Sequence, residues 1–284
     1  MKNSLSDTLF SIHRFTDLCR KEMVENWKTN AMRFVLLYGI LTVIFLWNGA
    51  YEYDLYSDEV PDNLTGDPQW QIVVIFTLIG LMLSGLLSAS FVMEGMRNKT
   101  GRINLLMTPA TSFEKFITRW IIYTFAFLLL YLVAFKLADW TRVLFFSAVH
   151  PQLREVIAPV PPNIVLGEDA RHWAVFQEVG KFRLAVSFYF FCQSLYVLGS
   201  TLWPKNAFLK TTTALVLVAM LFLGVGACSA ELFIPDGFCH VDAPFGLDEE
   251  GAVRLSTLLL ALGACVLWTL AYFRFKESEI IQRW

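Results

Sequence analysis

Charge is what this sequence has least of. Only 17% of its 284 residues are Asp, Glu, Lys or Arg, 56% are apolar, and the mean hydropathy is +0.51. Soluble domains carry about a quarter charged residues. The shortage is concentrated: residues 34–51, 70–93, 120–135, 184–204, 211–230 and 255–273 hold no Asp, Glu, Lys or Arg. That excludes an ordinary soluble core, and no nucleic-acid partner is expected. A phosphate loop of the form GxxxxGK[ST] is missing, so the chain is not expected to hydrolyse ATP alone. No catalytic, cofactor-binding or metal-binding residue is assigned. With no ionisable side chain inside the apolar runs, coupling to protons or sodium is not expected. Histidine is rare, and His13, His150, His172 and His240 are too dispersed for a zinc or serine–histidine site. The five cysteines make no metal-ligand spacing. Cys228 and Cys239 flank the last loop and would either pair in an oxidising compartment or stay as two thiols. The first thirty residues are charged throughout, unlike a cleavable signal peptide.

What is there is apolar length. A helix needs about 20 apolar residues to cross a bilayer, within a range of about 17–25. Five of the six runs meet that length. The run 120–135 is short, but Lys136 can snorkel and Leu137-Ala138 extend it. The expectation is an all-α membrane protein with six transmembrane helices, at about 34–51, 70–93, 119–138, 184–203, 211–230 and 255–273. These form one transmembrane domain, 34–284, preceded by an amphipathic segment, 1–33.

With both termini cytoplasmic, the cytoplasmic segments hold sixteen Lys and Arg and the external ones seven. That is the bias that sets orientation. Six of the seven lie between Lys136 and Arg183, in a long external loop that weighs less in this rule. The loop after the first run, 51–69, has six acids and no base. Its Asn63-Leu64-Thr65 matches a glycosylation acceptor, a triplet also common by chance.

Before the first run, at 100° per residue, Leu5, Leu9, Ile12, Phe15, Cys19, Met23 and Trp27 share one side. Asp7, Arg14, Asp17, Lys21, Glu25 and Lys28 share the other. This fits an interfacial helix on the membrane surface, or one packed on a soluble partner. In the second run Gly80, Ser84 and Ser88 recur every four residues, a spacing that lets another helix approach closely. The long loop opening at Asp139 contains 143–149, too short to cross, then Pro159, Pro161 and Pro162, which favour an extended path. A helix is expected to resume near Glu168 and run into the fourth span, where Gln193 and Ser194 would bond a neighbouring helix.

Residues 94–120 separate the second and third runs and carry five bases against two acids. Pro109 breaks this connector, since proline lacks an amide and restrains Thr108. Thr111-Ser112-Phe113-Glu114 then fits a capping box. The expectation is a helix, a break and a second helix entering the next span. Such a loop is either a docking surface or simply a capped membrane helix.

Two segments carry a resemblance: 104–116, NLLMTPATSFEKF, and 272–279, YFRFKESE. With the layout of spans, they resemble the permease subunit of type-2 ABC exporters, and more narrowly a permease-like group common in Bacteroidetes. That group typically has Pro-Ala-Ser and Glu-Lys-Phe-Leu, where this chain has Thr111 and Ile117. The resemblance implies that 94–120 is the coupling loop docking a separate cytoplasmic ABC ATPase, with Arg102, Pro109, Thr111, Phe113, Glu114, Lys115 and Phe116 as its working residues. In that reading Arg102 and Lys115 face acidic groups on the partner, and Phe113 and Phe116 fill an apolar cleft. It implies a second permease subunit, the same or homologous, flanking a path lined by the second and fifth spans. ATP and magnesium would sit on the ATPase, none in this chain. The cargo would be lipid-like, amphipathic or a peptide, and the location the bacterial inner membrane. Two rival readings are a membrane scaffold recruiting cytoplasmic proteins and an enzyme acting externally through His150, His172 or His240.

Overall fold

The computed structural model describes residues 10–55, 66–161, 164–165, 175–176, 178–233 and 248–280. Among these no strand occurs, which follows from the apolar composition: within lipid, a helix satisfies its own backbone. A first helix, α1, covers Ile12–Glu25. Asn26 ends it, bonding the Glu22 carbonyl through both its amide and its side chain, each at 3.2 Å. Among the described residues α1 buries none of its side chains.

Among the described residues six helices are long and apolar enough to cross a membrane. They are α2 (Trp27–Leu55), α3 (Trp70–Ser90), the pair α5 (Ser112–Ile121) and α6 (Phe127–Val149) joined by a widened π turn at Ile122–Ala126, α7 (Val179–Leu202), α8 (Ala207–Phe233) and α9 (Glu249–Ile280). A short helix, α4 (Lys99–Met107), precedes α5. Four of the expected spans fall wholly inside these helices, while the spans 70–93 and 184–203 pass the ends of α3 at Ser90 and α7 at Leu202 by three residues and one.

The long loop differs from expectation at both ends. Residues 139–149, assigned to it, are the last turns of α6, because no proline or glycine interrupts the helix before Pro151. At the other end, Val175, Phe176 and Glu178 are not helical, so α7 begins at Val179 rather than near Glu168.

The chain divides into two compact units, 1–85 with 121–179 and 86–120 with 180–284. In the first, Leu41 and Phe45 of α2 meet Val73 and Val74 of α3. Tyr131, Ala134, Phe135 and Ala138 of α6 complete that core, with Val160 and Ile164 from beyond it. Gly80 is the point of closest approach, where a Cβ would stand 2.7 Å from the Tyr131 hydroxyl. That hydroxyl donates to the Thr77 carbonyl at 2.7 Å. The Ser84 hydroxyl bonds back to Gly80 on its own helix, and Ser88 is buried in the second unit.

Candidate functional site

The connector 94–120 belongs to the second unit and folds as the sequence suggests. The Glu114 amide donates to Thr111 Oγ1 at 3.2 Å, and the Thr111 amide donates to Glu114 Oε2 at 3.0 Å. This reciprocal pair caps α5. Thr108 before Pro109 is extended, which stops α4 at Met107. The approach to α4 is folded tightly: a Cβ on Gly101 would lie 2.4 Å from the Gly95 carbonyl oxygen, so only glycine fits without a shift. The Arg119 guanidinium covers Gly95.

The two segments that carry the resemblance meet in space. The Phe113 and Phe116 rings each lie 5.7 Å from Tyr272, edge to face, and Phe116 is 6.1 Å from Phe275. One turn on, Trp120 packs 4.9 Å from Trp268, which is 6.1 Å from Phe190 of α7. Ser278 approaches Met96 at 4.0 Å. The loop is thus bound to the end of α9 by a run of aromatic contacts.

Glu114 acts inside the loop, as the capping box implies, whereas the burial of Lys115 and Phe116 differs from the outward contacts expected of them. Glu114 is fully buried, Lys115 is 6% exposed and Phe116 is 4% exposed. Phe116 fills a cleft, but the cleft is this chain's own α9, so neither it nor Lys115 reaches out to a partner. The outward edge is formed by Ile103, Met107 and Pro109, with Phe113 at its margin. Met107 is 78% exposed. Arg97 and Lys99 are exposed beside this edge, and Arg102 is half-buried. Sequence alone could not say which side of α5 faces inward, because its apolar residues would suit either partner.

The first unit holds a site that the sequence reading missed. Arg142 is completely buried near the end of α6, with Asp139 one turn before it. Its Nη1 donates to Asp67 Oδ2 at 2.7 Å, to the Tyr53 hydroxyl and to Gln69 Oε1 at 3.2 Å. Nε and Nη2 donate to Asp139 Oδ1 at 3.1 and 2.9 Å, and Nη2 also reaches the Ala158 carbonyl at 2.9 Å. The Tyr53 hydroxyl donates to Asp67, and Gln69 Nε2 donates to the Phe45 carbonyl at 2.8 Å. A buried guanidinium needs such partners, because an unpaired charge there is strongly destabilising. Asp139 and Arg142 lie just beyond the expected third span, 119–138, in the turns by which α6 outruns it. The available signal was Asp139 and Arg142 three residues apart with no helix breaker between them.

Chemically this network is closed: each carboxylate oxygen has a donor and each guanidinium nitrogen an acceptor. It is suited to holding structure. His150 stacks on Phe146 at 6.3 Å, while His172 and His240 lie outside the described residues. Among the described residues no group of His, Cys, Asp or Glu is arranged to hold a metal. Cys239 and the side chain of Cys228 also lie outside the described residues, as does Asn63. Comparison with protein-family models, with curated proteins and with solved structures gives no match to this chain.

Proposed function

We propose that this chain is the membrane-spanning permease subunit of an ABC-type exporter in a bacterial inner membrane, driven by a separate ATPase. The observation that supports this most is the platform at 94–120. Two segments more than 150 residues apart assemble into one capped, aromatic-bound structure. It keeps an apolar edge outward with cations beside it. An edge of that kind suits an apolar cleft with an acidic rim on a cytoplasmic partner.

In this reading ATP and magnesium stay on the partner, and a second permease subunit completes the path. The termini face the cytoplasm and α1 lies along the membrane, where its outward Met23 and Val24 meet lipid, as does Trp27 at the start of α2. Movement of the platform passes to α9 through Phe116, Tyr272 and Phe275, and to α7 through Trp120, Trp268 and Phe190. Arg142, buried in the first unit, is fully paired, and the cargo class stays lipid-like, amphipathic or peptide.

The test is purification of the full chain from its native membrane, with the copurified ATPase measured per permease together with nucleotide turnover. Met107→Ser combined with Phe113→Ser is expected to lower both by about tenfold, since a few central apolar anchors dominate such interfaces. No copurifying ATPase, or full assembly and turnover in the double variant, contradicts the reading.

A further inference from the structure

Beyond α6 the chain turns through a short 3₁₀ turn at Pro151–Leu153 and runs on as Ala158-Pro159-Val160. This segment has no helix or strand to satisfy its backbone, and Pro159 and Pro161 have no amide. Side chains meet the remaining groups of Ala158 and Val160 one by one. The Ala158 amide donates to Asp67 Oδ2 at 3.3 Å, and the Val160 amide donates to Asp139 Oδ2 at 2.8 Å. The Ala158 carbonyl accepts from Arg142 Nη2 and from Trp70 Nε1, both at 2.9 Å. The Val160 carbonyl accepts from Lys136 Nζ at 2.6 Å. Below them Leu153 and Ile157 pack on Tyr53 and Phe146, and Val160 enters the core of α2, α3 and α6.

Each of these five side chains would lose a backbone partner if the segment left: Asp67 and Asp139 an amide donor, and Arg142, Trp70 and Lys136 a carbonyl.

We propose that residues 151–161 are a strap permanently latched across the ends of α2, α3 and α6, with Arg142 as the latch. The strap holds these three helices as one body, and it does not open during the working cycle of the protein. This inference concerns the first unit alone and stands whether or not the chain is a permease.

Hydrogen exchange of the full chain in lipid nanodiscs tests it, because exchange reads local opening. The Ala158 and Val160 amides are expected to exchange within about tenfold of the α6 amides, despite lying outside any helix. Exchange at the rate of an unstructured peptide overturns the proposal. In Arg142→Met exchange at these two amides should rise about a hundredfold or more, the factor that corresponds to a broken buried pair. Asp139→Asn, a gentler change, should speed Val160 more than Ala158. Arg142→Lys should stay fast, because a single ammonium cannot serve two carboxylates and a carbonyl in the guanidinium geometry. Wild-type rates in Arg142→Met or Arg142→Lys also overturn it.

Discussion

Gln69 and Gln193 are the same residue, both fully buried in a membrane-spanning structure, and their surroundings are opposite. Gln69, in the first unit, donates to the Phe45 carbonyl and accepts from Arg142. Gln193, in the second, reaches only the Tyr189 hydroxyl at 3.4 Å, and its Oε1 has no partner among the described residues. The pattern extends beyond this pair. Among the described residues Thr118 Oγ1, Thr211 Oγ1 and Trp268 Nε1 are also buried without a partner, and all belong to the second unit. A stranded buried polar group costs about 1–3 kcal/mol. A saturated network gains nothing by rearranging, whereas stranded groups do. Among the described residues, the buried polar groups left without a partner thus lie in the second unit, which carries the platform, and the Arg142 network of the first is saturated.

The largest effect is expected where the saturated network is cut. Arg142→Met leaves Asp67 and Asp139 buried without their cation and should cost about 3–5 kcal/mol. Denaturation in mixed micelles measures it, and a loss under 1 kcal/mol would mean the network is solvated. Gln69→Leu should cost about 1–3 kcal/mol by stranding a carbonyl and a guanidinium donor.

Glu114→Ala, in the second unit, removes the reciprocal cap of α5 and should cost about 0.5–2 kcal/mol. Coupled nucleotide turnover should fall with it, since the platform loosens. Gln193→Leu is the sharpest contrast with Gln69→Leu: it removes a stranded acceptor, so stability should hold or rise by up to about 1 kcal/mol. If the two glutamine variants lose stability equally, the comparison fails. Met107→Ser, at the exposed edge, should change stability by less than about 0.5 kcal/mol while lowering ATPase recovery.

What could be read from the sequence was whatever is local. The break at Pro109 and the cap between Thr111 and Glu114 depend on residues within one turn, and the structure forms both. The six long helices follow from charge-free length. The facing of α5 was not legible, because Phe113 and Phe116 suit this chain's own Tyr272 as well as any partner. The latch was hidden for a related reason. Tyr53, Asp67, Asp139, Arg142 and Ala158 come from distant segments, and each alone resembles a loop residue near a membrane boundary. Arg142 also counted as an external positive charge, although two carboxylates neutralise it.

The central claim is that the outward edge of the second unit's platform, and no surface of the first unit, meets a cytoplasmic ATPase. A photo-crosslinking residue placed at Met107, and separately at Leu144 of α6, tests this directly, both sites being well exposed. Irradiation in native membranes, followed by purification and mass spectrometry, should give an adduct with a phosphate-loop ATPase from position 107 and none from position 144. No such adduct at 107, or equal yields at both positions, would contradict the account.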